Sequence, residues 1–178
     1  MGVDVIKPDR ASFKLIEGGS WTFRSPRADA LYRYWSSRCG TSLPSRADIE
    51  PADIKTLLPY VLMVDIHRNP FRVYYRLVGT AVAHFCGLDF TGAYLDDLAF
   101  DICITKDLAN AYHVVCNARQ PGVGMARAQI NHQTLVDVEY VICPLIGADG
   151  EVTQCLALED YIAKEGVDIG RLQLARQA

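Results

Sequence analysis

Asp48, Glu50, Asp53 and Asp65 crowd into residues 43–66, LPSRADIEPADIKTLLPYVLMVDI. Acids at that density suit general acid–base catalysis. The residues between them point elsewhere. Glu50 precedes Pro51, the pairing of a helix cap with a first helical residue, and Asp53 falls in the first turn, where the helix dipole favours negative charge. Asp48 belongs to the preceding turn, and Pro59 stops the short helix after Ile54, Leu57 and Leu58. A second acid pair, Asp137 and Glu139, is two apart in a strand pattern and points one way, without a cleft histidine or a metal triad beside it. GxSxG, GxxxxGK and GxGxxG are absent, and Gly122-Val123-Gly124-Met125-Ala126 lacks a third glycine and enters a strand. The expectation is a protein that is not an enzyme.

Thiol and imidazole chemistry is no better signalled. Six cysteines (Cys39, Cys86, Cys103, Cys116, Cys143, Cys155) lie at least 12 residues apart, and the four histidines form neither HxxxH nor HExxH. That spacing leaves zinc and redox dithiol motifs unsupported, and the expected metal set is none. Four of the cysteines sit in apolar runs, which suits buried free thiols in a reducing compartment.

Net charge is −3, half the residues are apolar and 22% are charged. This is the composition of a globular domain, with no basic run to favour nucleic acid or an anionic membrane. The start, MGVDVIKPDRASFKL, carries acids and a proline where a secretory signal needs a basic and then an apolar run, and no apolar stretch reaches spanning length. A cytoplasmic protein is expected.

Three patterns must do the positioning. SPRADALYRYWSSRCG reads as a helix over 26–39, with Ser25 as cap, Pro26 first, Gly40 just past the end and an apolar stripe through Ala28, Leu31, Tyr32, Trp35 and Cys39. YVLMVDIHR and FRVYYRLVGTAVAHFCG read as a hairpin turning at Asn69-Pro70. In its second strand Phe71, Val73, Tyr75 and Leu77 share one face, and Arg72, Tyr74 and Arg76 the other. After a turn-rich zone, a helix capped at Thr105 presents Leu108, Ala111, Tyr112 and Val115. It ends before Pro121-Gly122 and leads into three strands, VGMARAQI, LVDVEYVICPLI and EVTQCLALEDYI.

Strands that do not alternate with helices exclude a doubly wound parallel sheet. The expected class is α+β: one five-stranded antiparallel sheet with helices on one face and a flanking N-terminal helix. Residues 1–24 read as an arm or short strand, 25–163 as the domain and 164–178 as a tail. The element order, together with LPSRADIEPADIKTLLPYVLMVDI, YYRLVGTAV, TGAYLDDL and VEYVICPL before a DG turn, resembles the PAS domain in a bacterial PAS-like family, from about Leu31 to Tyr161.

The resemblance implies a sensory or adaptor module. It would take a small ligand between sheet and helices, or a signalling partner on the sheet's outer face, with output delivered in trans. The alternatives are an interaction module with a filled core and, less favoured, a small-molecule enzyme in the same cleft. Flavin photochemistry is not expected, because the segment that resembles the Gly-Arg-Asn-Cys stretch of light-sensing flavin PAS domains reads Gly92-Ala93-Tyr94-Leu95 here. Haem is not favoured either. His113 falls on the polar face with Lys106, Asn110 and Asn117, and His84, read at the end of the second strand, is the better ligand or a backbone-bonded anchor. The cofactor is otherwise unassigned. The candidate pocket is Tyr75, His84, Tyr112, Cys116 and Tyr140. The candidate partner or homodimer face is Leu31, Tyr32, Trp35, Tyr74 and Arg76, and Arg76 is expected to pair with Glu139 across strands.

Overall fold

In the computed structural model, residues 12–18, 21–98, 102–130 and 134–162 are described. Three helices, α1 (Pro26–Arg38), α2 (Thr80–Cys86) and α3 (Ile102–Ala118), accompany six strands: β1 (Ser12–Leu15), β2 (Val61–Arg68), β3 (Phe71–Val78), β4 (Gly122–Ile130), β5 (Thr134–Ile146) and β6 (Val152–Ile162). The strands make one antiparallel sheet in the order β1-β4-β5-β6-β2-β3. The class is the expected one, with one strand more. Ser12–Leu15, inside the predicted arm, pairs with Met125–Gly122 and takes up the free edge of β4. The 164–178 tail, the remainder of the arm and the Asn131-His132-Gln133 turn lie outside the described residues.

Both faces of the sheet are covered. On one, α2 and α3 lie over Leu62, Val64, Val73, Tyr75, Tyr140, Ile142, Cys155 and Ala157. On the other, α1 and the 46–60 segment cover Val61, Met63, Val141, Cys143, Leu145, Leu156 and Leu158. This explains why Val61-Leu62-Met63-Val64 is apolar without alternation: each side of the strand faces a core. Ala28, Leu31, Tyr32 and Trp35 are the buried stripe of α1, and Trp35 Nε1 donates to the Pro144 carbonyl at 2.9 Å.

The acids of residues 43–66 are structural. Ser45 N and Oγ donate to Asp48 at 2.8 and 2.7 Å, Ala52 N donates to Glu50 at 3.2 Å, and Asp53 pairs with Arg38 at 2.5 Å. These contacts cap two short 3-10 turns and tie them to the end of α1. Asp65 accepts from Gln154 at 2.7 Å and pairs with Arg76 at 2.5 Å. Arg76 therefore does not reach Glu139.

Three local expectations are corrected. The second strand stops at Val78, and AVAHFC is helix α2. Gly79 lies so close to the 58–59 backbone that a Cβ there would sit 2.3 Å from the Pro59 oxygen, and its N–H bonds the Val61 carbonyl at 2.8 Å. The chain is turned at that contact, and His84 becomes a helical residue. Leu77 is exposed, because Met63 pairs with Leu77 but Val64 with Tyr75. The extra residue is a bulge that reverses the alternation after Tyr75. Finally, α3 begins at Ile102, so Thr105 lies inside the helix and not at its cap.

Candidate ligand-binding cleft

The candidate cleft is the layer between the sheet and helices α2 and α3. Strand alternation sends Tyr75 of β3, Tyr140 of β5, and Cys155, Ala157, Glu159 and Tyr161 of β6 toward the helices. Spacing of three and four on α3 returns Ala111, Tyr112, Val115 and Cys116 toward the sheet. Of the five residues singled out from sequence, Tyr75, Tyr112, Cys116 and Tyr140 meet in this one layer. His84 lies on α2, with its Nε2 buried and without a hydrogen-bond partner among the described residues. His113 is exposed beside Asn117, on the polar face as expected.

One cross-strand row organises the floor: Phe13, Gly124, Tyr140 and Glu159 are register partners across β1, β4, β5 and β6. Tyr140 lies over Gly124, where a Cβ would meet its ring at 2.1 Å, and stacks toward Phe13 with centroids 6.4 Å apart and planes 8° from parallel. The phenol is thereby drawn across β4, away from β6. Beside Glu159 the strand offers only Ala157 on one side and Tyr161 on the other.

Glu159 is the residue that sequence reasoning missed. Tyr161 donates to it at 2.9 Å, and no arginine or lysine pairs with it among the described residues. It keeps part of its surface accessible while Tyr140, Leu158, Asp160 and Tyr161 around it are buried. Desolvation pushes its carboxyl above the usual range, with the Tyr161 hydrogen bond acting in the opposite sense. Burial first, and then the Glu159 charge, push the phenols of Tyr75, Tyr140 and Tyr161 up, and Tyr112 is raised by burial, Tyr75, Cys155 and Glu159 together. A signal was available. Glu159-Asp160 are consecutive acids within an apolar strand, and alternation must send one of them to each face.

The walls are aromatic and sulfur-bearing. Phe85 stacks on Tyr161 with centroids 3.6 Å apart, and Tyr75 meets Phe90 edge-on at 4.7 Å. Cys116 and Cys155 approach to 4.0 Å between sulfurs. Burial pushes the Cys155 thiol up, and the hydrogen bond between the two sulfurs holds Cys116 below its ordinary value. Cys39, Cys86, Cys116, Cys143 and Cys155 are all outside disulfides, and no metal-binding cluster occurs among the described residues.

The proposed partner face divides. Leu31, Tyr32 and Trp35 are buried against their own sheet, with Leu31 fully inaccessible, so they are not a surface for another chain. The apolar stripe of α1 has an internal use, the outer face of the same sheet. Tyr74 and Arg76 remain near the surface. Tyr74 packs on Tyr94 at 5.1 Å and on His67 at 6.4 Å, and Arg72 stacks 3.8 Å over the Tyr94 ring.

The outer face carries a buried acidic cluster that spacing alone did not reveal. Glu139 accepts from the N–H groups of Arg24 and Ser25 at 3.2 and 2.5 Å. Asp160 accepts from Ser25 Oγ at 2.7 Å and from Arg27 at 3.1 Å, and Asp137 pairs with Arg127 at 2.9 Å and Arg24 at 3.3 Å. These carboxylates hold the start of α1, not a substrate.

Comparison with known proteins agrees with this architecture. A family model described as "PAS domain" matches residues 23–158. No curated protein matches. Among solved structures, "Structure of an RNA-binding Light-Oxygen-Voltage Receptor" aligns at TM-score 0.51 and 11% identity, over 96% of this chain and 43% of that one. "The light state structure of the blue-light photoreceptor Aureochrome1 LOV" aligns at TM-score 0.41 and 13% identity, over 70% of this chain and 95% of that one. The chain thus spans less than half the length of the first of these proteins. No helix among the described residues is long and apolar enough to cross a membrane. With more than two thirds of its length matched by the family model and the sheet and helices in place, the chain belongs to the PAS domain family.

Proposed function

We propose that this is a sensory PAS domain that binds a small organic ligand between the sheet and helices α2 and α3 and passes its state to a partner protein in trans. One observation carries the reading: polar groups on the elements that bound this layer have hydrogen-bonding capacity that the described residues do not use. His84 Nε2 is buried without a partner, and Glu159 has a single hydrogen bond for two carboxylate oxygens. Buried polar groups are costly unless partnered. A ligand of mixed apolar and polar character meets that need, with the aromatic rings supplying most of the contact area.

Binding without turnover is the activity this arrangement favours. The thiols nearest each other, Cys116 and Cys155, hydrogen-bond to one another, and burial raises the Cys155 thiol, which disfavours a thiolate nucleophile there. The experiment is native mass spectrometry of protein purified from cells, followed by denaturation. A reversible adduct lost on denaturing, and excluded by Ala157→Phe, supports the reading. A bare mass, with no stabilisation by a small-molecule extract, overturns it.

The Tyr74, Tyr94, His67 and Arg72 group favours a second reading, an interaction module. Aromatic and arginine side chains near a surface are the usual anchors of an interface. Tyr74→Ala abolishing partner capture while the cleft stays empty would select it.

A further inference from the structure

We infer that the ligand is a small organic ammonium cation, held by its charge on Glu159 and by its body against the rings of Tyr75, Tyr112, Tyr140 and Tyr161; this rests on the ligand-binding reading above. Three observations carry it. The first is charge: the cleft contains a carboxylate and no basic side chain paired to it among the described residues. A carboxylate so placed is unfavourable unless a cation joins it or a proton neutralises it.

The second is the surround. Four phenol rings come from three sheet strands and α3, one ring to each of β3, β5 and α3 and the fourth beside the carboxyl on β6. Aromatic faces attract cations electrostatically, more strongly when water is excluded, and combine with a carboxylate without competing for its oxygens. An anionic ligand meets repulsion from Glu159, with which no arginine or lysine is paired among the described residues. A neutral ligand gains only hydrogen bonds there.

The third is space. Gly124 lets Tyr140 lie over β4 toward Phe13, and Ala157 is the small neighbour of Glu159 along β6. Glu159 is the partly accessible residue within a ring of buried ones. The groups facing it are Tyr140 from β5, Tyr161 from its own strand, Tyr75 from β3, Tyr112 from α3, and Cys86 from α2 through its contact with Tyr161. None is positively charged at neutral pH.

The test is calorimetric titration of the purified chain, stripped of adducts by refolding, with ethylammonium, benzylammonium and tyramine. Each is paired with its neutral alcohol, and phenylacetate serves as the anionic probe. At least one ammonium probe is expected to bind more tightly than its alcohol by about tenfold or more. Glu159→Gln, checked for folding by circular dichroism, is expected to abolish that preference. Heats measured in buffers of different ionisation enthalpy should reveal proton release on ammonium binding to the wild type at mildly acidic pH and none in the variant. Equal or tighter binding of the alcohols or of phenylacetate overturns the cation assignment and leaves the ligand-binding reading standing. Binding of no probe, with a cell-derived adduct that carries no basic nitrogen, also overturns the assignment alone, whereas the absence of any adduct overturns both.

Discussion

Ser25 and Asp160 share one hydrogen bond, 2.7 Å from the serine hydroxyl to a buried carboxylate, and the same hydroxyl accepts from Ala28 N at 2.9 Å. The serine thus caps α1 and fastens it to β6, while its own N–H reaches Glu139. Ser25→Ala should cost about 1–2 kcal/mol, the usual range for losing a cap, and lower Tm by about 2–8 °C. Ser25→Asp, ordinarily a good cap, should be worse than alanine, because it brings a third carboxylate to Glu139 and Asp160 and has no proton to give. Thermal unfolding of both variants at neutral pH checks the order. Aspartate matching serine would show that the contact with Asp160 contributes nothing.

The neighbouring Asp137 predicts how the outer face responds to acid. Burial acts to raise its carboxyl, but the hydrogen bonds and charges of Arg127 and Arg24 outweigh it and hold the group below its ordinary value. A carboxyl depressed in the folded state adds stability above its unfolded value, about 3.9, and that stability disappears as pH falls through the folded value. Both arginines are well exposed, so solvent screening limits the contribution to about 1 kcal/mol. Asp137→Asn should therefore be slightly less stable than wild type at neutral pH and show a shallower loss between about pH 4 and pH 2. Parallel stability curves for the two proteins over that range would contradict the assignment.

Much of this architecture was legible because local chemistry and tertiary demand agree. The Ser25 cap, Pro26, and the apolar stripe through Trp35 describe a helix that the structure contains within one residue of expectation. Tyr75, Tyr112, Cys116 and Tyr140 were found because alternation in strands and spacing on α3 both point to one layer. Where expectation failed, a distant contact decided. Nothing near Gly79 announces the 58–59 backbone beside it, and the bulge before Leu77 follows from pairing with β2. Leu31, Tyr32 and Trp35 looked like an interface because aromatics on a flanking helix suit interface anchors, and spacing does not say whether such a helix packs across its own sheet or against a second copy, leaving one face of the sheet or neither for another chain. Here the same chain covers both.

Gly124 and Tyr140 should be coupled energetically. A methyl group at 124 would meet the phenol ring, so Gly124→Ala is an overpacking substitution expected to cost about 1–3 kcal/mol. Combined with Tyr140→Ala, the same change should cost much less, since the obstructing ring is gone. A double-mutant cycle by denaturant unfolding measures the difference. Additive effects would mean that strain in β4 itself, and not the ring, sets the cost.

Glu159→Gln should stabilise the unliganded protein, an unusual result for removing a desolvated, hydrogen-bonded acid. The folded-state carboxyl is raised above its unfolded value of about 4.3, chiefly by desolvation. Across the window between those two values the native state holds a proton that the unfolded chain has released, so native stability declines as pH rises, and the cost persists above it. Glutamine keeps an acceptor for Tyr161 and removes the charge. At neutral pH the variant should gain roughly 1 kcal/mol, or about 2–4 °C in Tm for a chain of this size, and the gain should vanish near pH 4. Thermal unfolding from pH 4 to pH 8, with and without an ammonium probe, separates the two roles of the residue. The wild type should overtake the variant only when the probe is present, whereas a variant less stable at every pH would mean that Glu159 is a structural acid satisfied within the fold.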